Sequence, residues 1–297
     1  MMSRMHVVRR ALSSTVAQPQ SPTAPTASAS PLRWAIGGWA FFIAENAVLS
    51  ENRDTLRQVL AFGGTADIEG DVNYHRLYGT LSTLACTSIA YGYFRRCVAA
   101  PPLQWPLHAS PPAARLALAF GLQALGIAGL AQQLPKLQIP VAAAPASTTP
   151  PTTVASDTAM SKTWAVRCPF DFKQPDLGDG VHGVERVSRH ASLWAFASVC
   201  LGAACAVPSL PQAACLAMPT LVALIGGAHT DSRYRRGMGG TLPPEHDAMT
   251  SNVPFLAMLT GAQGEGAFSK LTIEVKALNA ACGVGVAALW ALRRLPR

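Results

Sequence analysis

"GVERVSRHASLWAF", residues 183–196, is the stretch on which the fold is decided. Arg186, Arg189 and His190 stand directly against an apolar run that continues to Val207. Arginines at the mouth of such a run mark a membrane interface, because a guanidinium stays charged and resists entry into hydrocarbon. On this reading Arg186 and Arg189 set the depth of the segment. His190 then faces either the bundle interior, as a ligand, or the interface.

Working outward, further apolar segments appear at Trp34–Leu49, Leu77–Phe94, Ala113–Leu134, Pro211–Ala228 and Ala277–Leu292. "PSLP", from Pro208, is a tight turn joining two antiparallel helices. "VPFLAMLTG", from Val253, is too short to span and reads as interfacial. Several segments fall slightly below the ~20 residues that cross a bilayer core. Their Gly and Ala content suits close helix packing. Only 13% of the 297 residues are charged and 49% are hydrophobic. The mean hydropathy is +0.22 even with two polar, small-residue stretches included. The expected fold is therefore all-α, a polytopic transmembrane helical bundle of about five to six spans, partnered by the lipid bilayer and not by nucleic acid.

The expected organisation has four parts. Residues 1–33 contain Arg4, Arg9, Arg10 and Arg33, no acid, and much Ser, Thr, Ala and Pro. That is the composition of an organelle transit peptide, of plastid or mitochondrion, or of a disordered basic tail. Residues 34–134 form an N-terminal membrane half of three spans. Residues 135–162 hold a Pro/Thr/Ala linker expected to be disordered. Residues 163–297 form the C-terminal half. With six spans, one side carries Arg4, Arg9, Arg10, Arg33, Arg95, Arg96, Arg115, Arg293, Arg294 and Arg297, and no Asp or Glu. The positive-inside rule places both termini in the cytoplasm-equivalent compartment, matrix or stroma.

Seven cysteines without a CxxC pair make no disulfide framework. Cys86, Cys200, Cys205 and Cys215 lie in apolar runs, where the thiol packs as a small hydrophobe. Cys168 stands in polar "VRCPFDF". The topology gathers His75, His190 and His229 on one side of the membrane. Neutral imidazoles at equal depth can bracket a metal, with His190 and His229 the leading pair, or serve simply as interfacial residues. Glu45, beside Asn46, lies either inside the first span, as a functional group, or just past its end. In "AHTDSRYRRGMGG" Asp231 pairs locally with Arg233, Arg235 or Arg236, or the arginines meet an anionic head group.

Four motifs carry a resemblance: "NYHRLYGTLSTLA", "QWPLH" (104–108), "RHASLWAFA" (189–197) and "ALIGGAHTDSRYRR" (223–236). Over roughly the middle two-thirds the chain resembles the NnrU family of membrane proteins, which includes the 15-cis-zeta-carotene isomerases. His190 matches the family's Arg-His motif, and His108 matches its histidine after Trp-Pro. Ala191 stands where the family usually has proline. Glu45 and Asn46 stand where many members have a histidine in the first helix. The resemblance implies an isomerase or redox protein acting on a hydrophobic polyene such as a carotenoid. It implies haem b held by His190 and a second histidine, for which the resemblance offers His108; His229 and His75 are candidates from their place in the topology alone. The other reading is a non-enzymatic organelle membrane protein that stabilises a complex or senses a small ligand, as the nitric-oxide-related branch suggests.

Overall fold

The computed structural model describes residues 30–99, 112–134 and 180–293, and the backbone of four short strands between 136 and 171. The first apolar segment extends in both directions into helix α1 (Ser30–Glu51). A helix does not stop where polarity changes, since each residue added gains a backbone hydrogen bond. After α2 (Arg53–Leu60) and a π turn at Ala66–Gly70, α3 (Asp71–Tyr91) runs on through a second π turn, Gly92–Cys97. Helix α4 (Pro112–Gln132) follows.

Two antiparallel ladders bracket the Pro/Thr/Ala stretch. Strand β1 (Lys136–Leu137) pairs with β4 (Phe170–Asp171), and β2 (Val141–Ala144) with β3 (Thr163–Val166). Thus the first part of the expected linker pairs with the residues just after it, while 145–162 lie outside the described residues. The remaining body is helical.

A 3-10 turn at Gly183–Arg186 leads into α5 (Ala191–Ala206), whose N-cap is His190. "PSLP" makes the expected turn, and α6 begins at Leu210. Helix α6 (Leu210–Leu221), a π turn at Val222–Gly226 and α7 (Gly227–Arg235) form one continuous rod of 26 residues. Pro219, inside α6, has no N–H to give, and a π turn three residues on absorbs the local disruption. The fifth segment thus runs on through "HTDSRYR" rather than ending near Ala228. Short helices α8 (Pro244–Met249), α9 (Leu256–Leu259) and α10 (Ala267–Glu274) precede α11 (Ala277–Leu292).

Among the described residues two rods are long and apolar enough to cross a membrane, Ala113–Gln132 and Leu210–Arg235. A third is counted if α10 and α11, bent by 81°, act as one broken span. Helix α5 is apolar but shorter, and Glu45 and Asn46 dilute α1. Outside the two short ladders the described residues are helical, with two to three apolar helices that could cross a membrane, consistent with an integral membrane protein.

Helix α4 packs between α5 and α11, and α1 packs on α3 and α6. Small residues set these distances. A Cβ on Gly126 would stand 2.5 Å from Ala195 O, one on Gly202 2.7 Å from Ala119 O, and one on Gly283 2.8 Å from the Ala128 Cα. Such backbone approach gains dispersion contacts where lipid offers no hydrophobic drive. At the C-terminus of α4, Lys276 Nζ donates to the carbonyls of Gln132 and Leu134, a cation on orphan helix-end acceptors.

Candidate functional site

The Arg-His motif and the His-x-Asp motif meet in space. His190, at the start of α5, directs Nε2 to Asp231 Oδ1 of α7 at 2.8 Å. Arg189 Nη1 pairs with Asp231 Oδ2 at 2.8 Å. The Arg189 and Asp231 side chains are only 7% and 5% exposed, so this is a buried ion pair with His190 on its flank. The rest of the guanidinium is held by α8. Its Nε donates to Thr250 Oγ1 at 3.0 Å, and Nη2 donates to Thr250 O and Asp247 Oδ1, both at 2.7 Å. Asp247 also receives Arg235 Nε at 2.6 Å. Arg235, then Arg189, hold its carboxyl at about 2, against an ordinary 3.8.

A second clasp lies one turn earlier in the chain. Arg186 donates through Nε and Nη2 to both oxygens of Glu274, at 2.8 and 2.7 Å. Gly183 N donates to the same carboxylate at 2.6 Å. Ser188 Oγ donates to Asn252 O and receives His190 N. Asn252 in turn accepts from Trp194 Nε1 and donates to Leu224 O, a carbonyl of the π turn. A Cβ at Gly227 would stand 2.4 Å from Asn252 Oδ1, so this contact needs glycine.

Arg186 and Arg189 therefore turn into the protein rather than outward. Both are buried in ion pairs, because Asp247 and Glu274 arrive from segments far along the chain and satisfy them within the protein. Asp231 pairs with Arg189 rather than with its own neighbours in "DSRYRR". Asp247, Thr250, Asn252 and Glu274 carry no local motif, and the flat polar run "AMTSNVP" gives no signal for them.

The candidate histidines go to separate partners. His75 is exposed and rests on Asp71, with Nδ1 2.8 Å from the Asp71 carbonyl oxygen. His229 Nε2 lies 2.8 Å from Ser50 Oγ of α1. Among the described residues no three His, Cys, Asp or Glu form a metal-holding group. His108 and Cys168 lie outside the described residues.

Glu45 lies well within α1 and is 6% exposed. Its Oε1 accepts from Ser82 Oγ at 2.9 Å and Asn46 Nδ2 at 2.7 Å, while its buried Oε2 has no partner among the described residues. Asn46 also accepts from Tyr78 OH. One turn away, α1, α3, α5 and α6 enclose a cavity of about 450 Å³ walled by Trp39, Phe42, Tyr93, Phe94 and Phe196. Phe94 and Phe196 are exposed at its rim, so it is a groove open to the outer face of the bundle. A smaller cavity of about 210 Å³ lies between α4, α5 and Phe255, with Ser188 and Trp194 in its wall. Comparison with protein-family models, curated proteins and solved structures finds no match to this chain.

Proposed function

We propose that the chain is an NnrU-like integral membrane protein that holds a hydrophobic polyene, such as a carotenoid, in the groove between α1, α3, α5 and α6. The aromatic lining of that groove carries the reading. Flat rings pack on conjugated carbon, and the almost wholly apolar wall asks nothing polar of the bound chain. The topology proposed with it is five to six spans, with α1, α3 and α5 crossing as short helices beside the longer rods. The acid-free, Ser/Thr/Pro-rich first 33 residues support a plastid or mitochondrial membrane as its site.

Haem b, when bound, supplies Lewis-acid or redox chemistry at a double bond. Among the described residues, His190 is the one histidine whose surroundings would suit holding it. Asp231 holds His190 Nε2, which leaves Nδ1 as the free donor, and no described histidine lines the groove. Asp231 fixes the ring's orientation and Arg189 fixes Asp231, as outer partners do for ligating histidines. The second reading is a non-enzymatic membrane protein. It is favoured by the way Arg189 spends its donors on Thr250, Asp231 and Asp247, which makes the cluster a clasp between α5, α7 and α8.

The test is an optical spectrum of the full chain purified in detergent, after expression with haem and carotenoid supplied. A polyene band that co-purifies with wild type and is lost when Ala90→Trp fills the groove supports the ligand reading. A Soret band that shifts or vanishes in His190→Ala adds the enzymatic one. Polyene without a Soret band leaves the non-enzymatic reading, and no polyene band in wild type overturns the proposal.

A further inference from the structure

Arg233 points to a ligand that the polyene reading does not involve. Of the three arginines in "DSRYRR", two are spoken for. Arg235 pairs with Asp247, and Arg236 pairs with Glu51 through both of its terminal nitrogens. Asp231, the acid nearest in sequence, is taken by Arg189 and His190. Arg233 has no ion pair and no side-chain hydrogen bond among the described residues, and its Nε is buried without an acceptor. The two terminal nitrogens are not buried, so the outer edge of the fork is open to a ligand.

The surroundings are arranged for an anion. Arg233 stands one turn beyond His229 on α7, at the end of the helix that meets α1 through the His229–Ser50 and Arg236–Glu51 contacts. His229 stands four residues before it, on the same helix face, beside Ser50. Arg53 covers the Tyr74 ring at 5.7 Å. The carboxylates there are engaged: Glu51 by Arg236, and Asp71 by Arg53 and Arg57. The loop behind Arg233 makes room for it. Gly239 has φ +75°, and a Cβ there would stand 3.0 Å from Arg233 Nη2.

Depth selects the source of the anion. The Leu210–Arg235 rod has 26 residues, about 39 Å at 1.5 Å per residue, against a hydrocarbon core of about 30 Å. Its last turns stand in the head-group layer. We propose that Arg233, with His229 one turn before it and Ser50 beside His229, binds a phosphate group, and that the phosphate belongs to an anionic lipid. Arginine suits this task because its fork engages two phosphate oxygens together.

The experiment uses the delipidated full chain in neutral detergent, with thermal unfolding and lipid retention in native mass spectrometry as readouts. Phosphatidic acid is the probe, with phosphatidylcholine and inorganic phosphate at matched ionic strength beside it. The expected result is stabilisation and retention by phosphatidic acid over phosphatidylcholine, with apparent affinity at least tenfold weaker in Arg233→Gln and unchanged in Arg96→Gln. Inorganic phosphate acting as well as the lipid, and failing in Arg233→Gln, keeps the anion site and overturns the lipid source. Equal affinity in wild type and Arg233→Gln, or no preference for phosphatidic acid in wild type, overturns the site. The wild-type preference decides the matter if Arg233→Gln does not fold, and Arg233→Lys, which keeps the charge, should bind with intermediate strength.

Discussion

Asp247 ties two arginines from different helices, one buried and one half-exposed, and this makes it a pH-dependent fastener. Unfolded, its carboxyl titrates near the ordinary 3.8; folded, Arg235 and Arg189 hold it at about 2. Its contribution is therefore complete above 3.8 and disappears as pH falls through about 2. The difference corresponds to about 2 kcal/mol of stability at neutral pH. Asp247→Asn should lower stability by about that amount at pH 6, and the gap from wild type should close between pH 4 and pH 2. Thermal unfolding in detergent across this range checks it, and a gap unchanged at pH 2 would contradict the assignment. Little of this was legible in the sequence. Arg189 and His190 stood out because charge against an apolar run is conspicuous, but their partners lie 41 to 61 residues away in unremarkable polar stretches. Their burial has no sequence signal for the same reason: the acids that pair with them are not neighbours in the chain.

Among the helices, the tightest packing constraint falls on glycines. Gly126 and Gly121 share α4, yet a Cβ on Gly126 meets the backbone of α5 whereas one on Gly121 meets nothing within 4 Å. Gly126→Ala should force α4 and α5 apart and cost about 1–3 kcal/mol, as overpacking does. Gly121→Ala should be neutral or stabilising by up to about 1 kcal/mol, because alanine is the better helix former. Paired melting curves in one detergent test the contrast, and equal shifts in the two variants would refute it. The helices themselves could be read from the sequence, since apolar runs and "PSLP" fix their positions. Their ends could not. Helix α1 passes through Glu45 to Glu51, and the rod beginning at Leu210 continues to Arg235, because backbone hydrogen bonding carries a helix past the point where hydrophobicity ends.

At the scale of the whole molecule, large apolar side chains remain on the outside of the bundle: Phe94 is 66% exposed, Leu289 65% and Leu84 54%. Water does not tolerate so many, whereas lipid does. The chain should resist alkaline carbonate extraction, with a C-terminal tag protected from protease until the inner membrane is breached. This expectation rests on the six-span reading, in which ten arginines and no acids share one side; digestion of the tag once the outer envelope is opened would overturn it. One local irregularity governs how the two halves of the molecule mesh. The π turn at Val222–Gly226 holds one more residue than the α turn it replaces, so it resets the angular phase of everything downstream by about 100°. Upstream of it Cys215 and Pro219 turn to the apolar interior; downstream, Asp231 turns to Arg189. Deleting a single residue there would give a straighter helix and leave the ion pair facing in two directions.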